Sequence, residues 1–217
     1  MISNVNTIFF DFDGTLHDSI TVYVPAFNKA YNYLVQNNLA KERVWKESEI
    51  CHWLGFNKVD MWKKFAPNLD EDVIEKVSKL IGDEMAFQIR SGYGYLYEGC
   101  SSILNYLKNK NYTLVFLSNC GSYYKNLVKE HYHLDLYFTD MFCSEEFNQI
   151  PKYEILRQLK SRYLDEMVII GDRFHDIEAG TKNNIHTIGC EYGYCQNGEL
   201  NNSDRIIKNI NELYTIL

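Results

Sequence analysis

The chain has 217 residues, of which 46% are hydrophobic and 24% are charged. This composition is typical of a folded protein, and the length suits one sizeable core with a small lid but not two full domains. The formal net charge of −7 gives no basic face for nucleic acid or an anionic membrane, so we expect neither as a partner.

The first apolar run, Thr7 to Phe10, predicts a buried strand that ends in a polar segment. Asp11, Asp13 and Gly14 follow the run directly. Residues two apart in an extended chain point to the same side, and glycine permits a tight turn around a bound anion. The segment therefore suits two carboxylates that act on one ligand, although an acidic strand end closed by a turn has the same pattern.

Residues 17–91 interrupt the strand pattern and predict helices throughout. The predicted helices are Thr21–Asn37, Lys41–Leu54, Val59–Phe65 and Asp70–Arg90. Apolar residues at helical spacing in the last of them indicate one face packed against neighbouring helices. We expect residues 17–91 to form a helical cap domain on a core domain made of residues 1–16 and 92–217. Glycines in the segment Ser91–Gly94 suit a return hinge.

From residue 92 onward, strand-like runs alternate with helical segments. The strand-like runs are Tyr112–Leu117, Met141–Cys143 and Met167–Ile170, and the predicted helices are Cys100–Lys110, Tyr123–His131, Lys152–Leu164 and Ile177–Asn183. This alternation predicts an α/β fold with a doubly wound parallel sheet. The polar residues that end the strands would converge at the edge where such sheets bind ligands.

Two later segments offer groups that suit a phosphate. Ser118 and Asn119 supply a hydroxyl and an amide at a strand end, although alone they only indicate a turn. Pro151 favours the first helical position and so places Lys152 at a helix N-terminus, where a positive charge opposes the helix dipole. A lysine in that place needs an anionic partner, although an exposed lysine without one is the alternative.

Two more carboxylates, Asp172 and Asp176, follow the strand-like run Met167–Ile170. With the two aspartates after the first strand, they give an oxygen-rich set that suits Mg²⁺. The alternative is a turn at Asp172 and a helix N-cap at Asp176 for a helix from Ile177. Such a cap is compatible with an indirect role of Asp176 at the metal.

The order and spacing of these segments resemble the haloacid dehalogenase (HAD) superfamily. The residues that carry the resemblance are Asp11–Ser19, Ser118–Asn119, Lys152 and Gly171–Asp176. Within the superfamily, the chain is most similar to phosphoglycolate-phosphatase-like members with a helical cap, over essentially its whole length. It departs from them in two places, because proline precedes Lys152 instead of following it, and Arg173 stands where a small hydroxyl residue is common.

The resemblance implies a covalent mechanism. Asp11 would attack phosphorus to form an aspartyl-phosphate, while Asp13 protonates the leaving oxygen and later activates water. The dehalogenase-like members lack a carboxylate at the place of Asp13, so phosphate esters are favoured over carbon–halogen bonds.

The resemblance also implies the binding residues. The Mg²⁺ ligands would be Asp11, the backbone carbonyl of Asp13, and Asp172. Asp176 would act through a water molecule or by contacting the direct ligands. Ser118, Asn119 and Lys152 would hold the phosphoryl group. The segment Gly55–Lys58 matches the place of a specificity loop in capped relatives, with an ordinary interhelical turn as the alternative.

Four residues within these segments have simpler interpretations. We expect Arg173 to pair with Asp176 or a nearby glutamate, since a guanidinium suits carboxylates, and the alternative is that it reaches the mouth of the active site. His17 is interpreted as a surface histidine in a connecting loop, with a place at the cap entrance as the alternative. Asp18 and Ser19 are interpreted as caps for the helix that begins near Thr21.

The expected function is magnesium-dependent phosphatase activity on a small phosphorylated metabolite, with phosphoglycolate as a candidate by family likeness alone. One alternative is a phosphotransferase or sugar-phosphate mutase of the same fold, and another is a non-catalytic module that binds a phosphorylated metabolite. Asp11, Asp13, Lys152 and Asp172 are all present, which argues against the non-catalytic module. The protein could be a monomer or a homodimer.

Six cysteines fall at irregular intervals without the spacing of a zinc site. This pattern predicts free thiols in a reducing compartment. The sequence starts without a basic segment followed by an apolar run, and we expect a cytoplasmic protein.

Overall fold

The computed structural model describes residue 2 and the ranges 4–163 and 166–217. The strands are β1 (Thr7–Phe10), β2 (His17–Asp18), β3 (Tyr95–Leu96), β4 (Thr113–Ser118), β5 (Asp140–Cys143), β6 (Met167–Gly171), β7 (His186–Cys190) and β8 (Arg205–Ile207). The α-helices are α1 (Ile20–Gln36), α2 (Glu47–Cys51), α3 (Lys58–Phe65), α4 (Glu71–Arg90), α5 (Cys100–Asn109), α6 (Ser122–His131), α7 (Lys152–Leu159), α8 (Phe174–Asn183) and α9 (Leu213–Ile216). Among these described helices, none combines the length and the apolarity needed to cross a bilayer.

Strand β1 lies inside a six-stranded parallel sheet with the order β5, β4, β1, β6, β7, β8. It pairs with β4 on one side and with β6 on the other. The chain first adds β4 and β5 on one side and then β6, β7 and β8 on the other. Ligands bind at the carboxyl ends of parallel strands beside such a reversal. The predicted doubly wound α/β core is confirmed.

The side chains of β1 alternate between the two faces of the sheet. Ile8 and Phe10 belong to one apolar cluster with residues of α5 and α6, whereas Phe9 belongs to a second cluster with residues of α7 and α8. Helices cover both faces, so both faces must be apolar. This explains why β1 is a nearly continuous apolar run.

The helical segment α1 to α4 lies between β2 and β3 in the chain. These two short strands pair antiparallel, with His17 opposite Leu96, where the chain leaves the sheet region and returns to it. Helices α1 and α4 pack along each other. The segment has its own aromatic cluster, in which the ring of Phe27 lies 5.5 Å from that of Trp45 and 5.4 Å from that of Phe65.

The predicted helix Lys41–Leu54 is wrong over much of its length, because only α2 (Glu47–Cys51) is helical. Trp45 instead packs its ring into the aromatic cluster, and the guanidinium of Arg43 lies 3.8 Å from the centre of that ring. Tertiary packing of this kind overrides helix propensity.

Two further differences concern the end of the chain. The sequence pattern does not predict β7 or β8. Helix α7 ends at Leu159 and is followed by a 3₁₀ turn over Lys160–Arg162. The predicted end of this helix, Leu164, lies outside the described residues.

Candidate active site

Three polar segments meet where β1, β4 and β6 end. Asp11 follows β1, Ser118 is the last residue of β4, and Asp172 follows β6. The backbone N–H of Asp11 donates to the carbonyl of Ile170 in β6 at 2.9 Å. Lys152 begins α7 and is buried beside them. Residues that are far apart in the sequence are therefore neighbours at one edge of the sheet.

Three carboxylates form a buried cluster around Lys152. One oxygen each of Asp11, Asp172 and Asp176 lies within 4.8 Å of the others, and the three residues are only 2%, 0% and 0% exposed. The ammonium of Lys152 lies 3.0 Å from Asp11 Oδ1 and 2.6 Å from Asp176 Oδ1. Three carboxylates and one ammonium leave two negative charges unbalanced when all are ionised. Since unbalanced buried charge is costly, this donor set fits a divalent cation.

The cluster disfavours full ionisation without a cation. Burial raises the pKa of Asp11 to about 7; Lys152 opposes this rise, and the charges of Asp176 and Asp13 add to it. Burial, with Asp11 and Asp176 nearby, also raises the pKa of Asp172 well above its ordinary value. A positive ion among these carboxylates would favour their ionised forms.

Asp176 does not cap a helix that begins at Ile177, so that interpretation was wrong. Helix α8 begins at Phe174, and Arg173 is its N-cap residue. Asp176 Oδ2 accepts the backbone N–H of Arg173 at 3.0 Å, while Oδ1 accepts from Lys152. Asp176 thus closes the first turn and also belongs to the buried cluster.

Two glycines leave room for the clustered carboxylates. A Cβ atom at Gly14, where φ is +84°, would lie 2.2 Å from Asp172 Oδ2. A Cβ atom at Gly171 would lie 2.0 Å from the carboxyl carbon of Asp176. Both contacts are far shorter than van der Waals distance, so neither position accepts a side chain without displacing an aspartate.

Asp13 lies beside this cluster and is held by different partners. Its Oδ1 accepts hydrogen bonds from the hydroxyl of Tyr124, at 2.8 Å, and from that of Ser19. Ser19 is the N-cap residue of α1, but its side chain makes no capping hydrogen bond. The expectation that Ser19 caps this helix by its side chain is therefore wrong.

His17 is fully buried, which corrects its interpretation as a surface residue. Its Nδ1 lies 2.6 Å from Ser19 Oγ, and its Nε2 lies 2.8 Å from the hydroxyl of Tyr132, which itself donates to the carbonyl of Gly94. These contacts link His17 through Ser19 to Asp13, whose Oδ1 accepts a hydrogen bond from the hydroxyl of Ser19.

Ser118 and Asn119 are both buried at the end of β4. Asn119 Nδ2 donates to the carbonyl of Gly55 at 2.8 Å. Its Oδ1 is buried without a hydrogen-bond partner among the described residues. Asn119 thus contacts the segment between α2 and α3, residues 52–57, which we name the cap loop.

Arg173 contacts both the cap loop and Glu199 and is only 1% exposed. Its Nε donates to Glu199 Oε2 at 2.9 Å, and a terminal nitrogen donates to Glu199 Oε1 at 3.2 Å. The other terminal nitrogen donates to the carbonyls of His52, at 3.3 Å, and Leu54. The guanidinium therefore pairs with a glutamate, one of the two expected partners, and also holds the backbone of the cap loop.

We expect Arg173→Lys to raise KM by about tenfold and to lower the free energy of unfolding by about 1–3 kcal/mol. A single ammonium cannot meet both oxygens of Glu199 and the loop carbonyls together, so buried acceptors lose their donors. Steady-state kinetics and urea unfolding measure the two effects. Arg205→Lys, which changes an exposed arginine of β8 that donates to the carbonyl of Asp204, is the control and should change stability by under about 0.5 kcal/mol. An unchanged KM for Arg173→Lys would contradict this role.

The residues that form hydrogen bonds to Asp13 and that hold the cap loop through Arg173 were not predicted from the sequence. His17, Ser19 and Tyr124 form hydrogen bonds around Asp13, and Glu199 holds Arg173. His17 and Ser19 lie close to Asp13 in the sequence, and this proximity was the only available signal. Nothing in the sequence indicates the partnership of Tyr124 or Glu199.

Comparisons with known proteins agree with this geometry. Residues 8–190 match the family model described as haloacid dehalogenase-like hydrolase. The phosphoglycolate phosphatase of Aliivibrio fischeri is 26% identical, over 89% of this chain and 87% of that protein. The phosphoglycolate phosphatase of Vibrio parahaemolyticus is 25% identical, over 99% and 96%. The crystal structure of a predicted phosphatase from Clostridium acetobutylicum superposes with a TM-score of 0.83 at 24% identity, covering 99% of this chain and 98% of that one.

The family match spans well over half of the chain, and the two relatives named above, which match along most of its length, are phosphoglycolate phosphatases. The chain therefore belongs to the haloacid dehalogenase-like hydrolase family and is an enzyme of the phosphatase kind.

Proposed function

We propose that this phosphatase hydrolyses a small phosphate monoester with the help of Mg²⁺ and through an aspartyl-phosphate on Asp11. One observation carries the proposal: Asp11 lies in a buried cluster, 3.0 Å from Lys152 and within 4.8 Å of Asp172 and Asp176. A carboxylate is a weak nucleophile, and it needs a neighbouring acid and positive charge around the phosphate that it attacks.

Asp11 and Asp13 would divide the chemistry between them. An oxygen of Asp11 forms a bond to phosphorus as the ester P–O bond breaks, and the leaving oxygen takes a proton from Asp13. Asp13 then removes a proton from a water molecule, which attacks phosphorus and frees Asp11. The hydrogen bonds from Tyr124 and Ser19 hold Asp13 in a fixed position for both proton transfers.

The remaining residues would bind the metal and the phosphate. Mg²⁺, when bound, supplies positive charge that offsets the charge of the phosphoryl group. Its proposed ligands are Asp11, the backbone carbonyl of Asp13 and Asp172. Asp176 would act through a water molecule or by contacting these ligands. Ser118, Asn119 and Lys152 would hold the phosphoryl oxygens.

The test is hydrolysis of p-nitrophenyl phosphate, a chromogenic monoester, with and without Mg²⁺. We expect a chelator to lower the rate by at least about 100-fold, because the buried carboxylates would lose the charge that offsets them. Added Mg²⁺ should restore the rate. A rate that is insensitive to the chelator would overturn the metal dependence. Product that accumulates only with an added phosphoryl acceptor would favour the phosphotransferase or mutase.

The division of the chain and its location are also proposals. We infer that residues 17–91 form the cap and that residues 1–16 and 92–217 form the core; the β2–β3 pair near the proposed boundaries supports this division.

The names of the relatives support phosphoglycolate as one candidate substrate. All six cysteines are free thiols, which favours a reducing, cytoplasmic location. The choice between monomer and homodimer stays a prediction.

A further inference from the structure

A large cavity extends from the catalytic aspartates into the helical segment. It has a volume of about 640 Å³, which is within the range of roughly 300–1,000 Å³ typical of sites for drug-sized ligands. Asp11, Asp13, Ser118 and Asn119 lie at one end, and residues of α3, α4 and the cap loop form the other. A phosphorylated two-carbon acid would leave most of this space empty.

The walls of the cavity are rich in aromatic rings. The aromatic residues that line it are Tyr23, Trp53, Phe56, Trp62, Tyr123 and Tyr124. Tyr123 is 51% exposed, and Trp53 and Phe56 are half-buried with ring centres 6.0 Å apart. Partly exposed rings at the wall of a cavity offer faces on which a flat group stacks.

The charged residues of the wall do not suit a second anionic group. Lys58 pairs with Glu75, and Lys79 pairs with Asp83 at 2.7 Å; all four line the cavity. Glu145 is the other charged lining residue outside the catalytic aspartates, so two lysines and three carboxylates give this wall a net charge of −1. Among the described lining residues, every lysine already has a carboxylate partner. A second phosphate that reached this wall would find both lysines paired with carboxylates.

We propose that the leaving group is large, flat and uncharged, and that the substrates are nucleoside monophosphates. This inference rests on the proposed phosphatase function, since the phosphate must lie at Asp11 for the rest of the substrate to reach the aromatic wall. The single phosphate meets Lys152 and the phosphate-binding residues, the sugar spans the middle of the cavity, and the base stacks on the rings of the wall.

The test compares kcat/KM for AMP, UMP, ribose 5-phosphate and phosphoglycolate in the presence of Mg²⁺. Ribose 5-phosphate is the matched control because it has the sugar and phosphate without the base. We expect both nucleotides to exceed the other two esters by roughly tenfold or more, the scale of one base stacked on an aromatic ring. Equal or faster hydrolysis of ribose 5-phosphate or phosphoglycolate would overturn the inference while leaving the phosphatase function intact.

A pair of variants tests the wall itself. Tyr123→Ala should lower the ratio of AMP to ribose 5-phosphate hydrolysis by about fivefold or more, because a stacking face is lost. Phe87→Ala is the control, since Phe87 is 61% exposed on α4 and is not part of the cavity wall. An unchanged ratio in Tyr123→Ala would contradict stacking on this ring.

Failure of the proposed function gives a different result. The wild-type enzyme would then hydrolyse none of the esters, and calorimetric binding to Asp11→Asn with Mg²⁺ would decide the inference on its own. Tighter binding of AMP than of ribose 5-phosphate supports it, and equal or absent binding of the two overturns it.

Discussion

Asp11→Asn is expected to lower kcat by at least about 10⁴-fold, which approaches the loss seen when other enzymes lose a covalent nucleophile. An amide oxygen does not attack phosphorus as a carboxylate does, while the side chain keeps its size in a site where Asp11 is only 2% exposed. Steady-state hydrolysis of p-nitrophenyl phosphate measures the loss. Asp135→Asn, which changes an exposed aspartate, is the control and should retain full activity.

The same substitution is expected to stabilise the protein in a chelator. Burial raises the pKa of Asp11 to about 7 from an ordinary value of 3.8. A carboxyl group whose pKa is raised by folding contributes stability at low pH, and this stability is lost as the pH rises from about 4 through about 7. Asparagine carries no charge, so Asp11→Asn should lose less stability over this range. At pH 8 we expect its Tm to be higher by roughly 2–4 °C or more.

Thermal unfolding from pH 4 to pH 8 in the presence of a chelator checks this expectation. A Tm for Asp11→Asn that is lower than that of the wild type at pH 8 would mean that the ion pair with Lys152 outweighs the repulsion among the carboxylates. The charge balance described for the cluster would then be wrong.

Lys152→Met should have a large effect of the opposite sign on stability. Burial alone would lower the pKa of Lys152, but Asp11 and Asp176 beside it raise the pKa above its usual value. Methionine leaves the buried carboxylates without this cation, and removing one partner of a buried ion pair costs about 3–5 kcal/mol. We expect Tm in a chelator to fall by roughly 10 °C, and kcat to fall by about 10²–10³-fold because the phosphoryl oxygens lose a donor.

Added Mg²⁺ separates the two effects of this substitution. The ion restores positive charge to the cluster, so it should raise the Tm of Lys152→Met by more than that of the wild type, while kcat stays low. Lys182→Met is the control, because Lys182 pairs with Glu178 on the exposed surface of α8 and such pairs contribute about 0–1 kcal/mol. Equal Tm values for Lys152→Met and the wild type in a chelator would contradict the buried charge balance.

The core strands were predictable because they are buried on both faces. β1, β4 and β6 are nearly continuous apolar runs, and helices on both sides of a parallel sheet require such runs. β7 contains His186, Thr187 and Gly189 among its five residues, and β8 has only three residues. Both strands add to an existing sheet edge, so tertiary pairing stabilises them where local sequence preference does not.

The candidate site was predictable only as a set of strand ends. The rule that carboxyl ends of parallel strands converge brings Asp11, Ser118 and Asp172 together. Burial and pairing do not follow from that rule. The Nε2 of the buried His17 lies 2.8 Å from the hydroxyl of Tyr132, at the end of another helix, and Arg173 is held by Glu199 from a distant loop. Such contacts depend on how loops pack.

Nucleophilic attack by Asp11 is tested directly by a rapid acid quench of the wild-type enzyme during turnover of a ³²P-labelled monoester, followed by mass spectrometry of its peptides. We predict a labelled phosphoryl group on Asp11, formed at a rate at least as fast as kcat. Label on a different residue, or full turnover without any phosphorylated peptide, would contradict nucleophilic attack by Asp11.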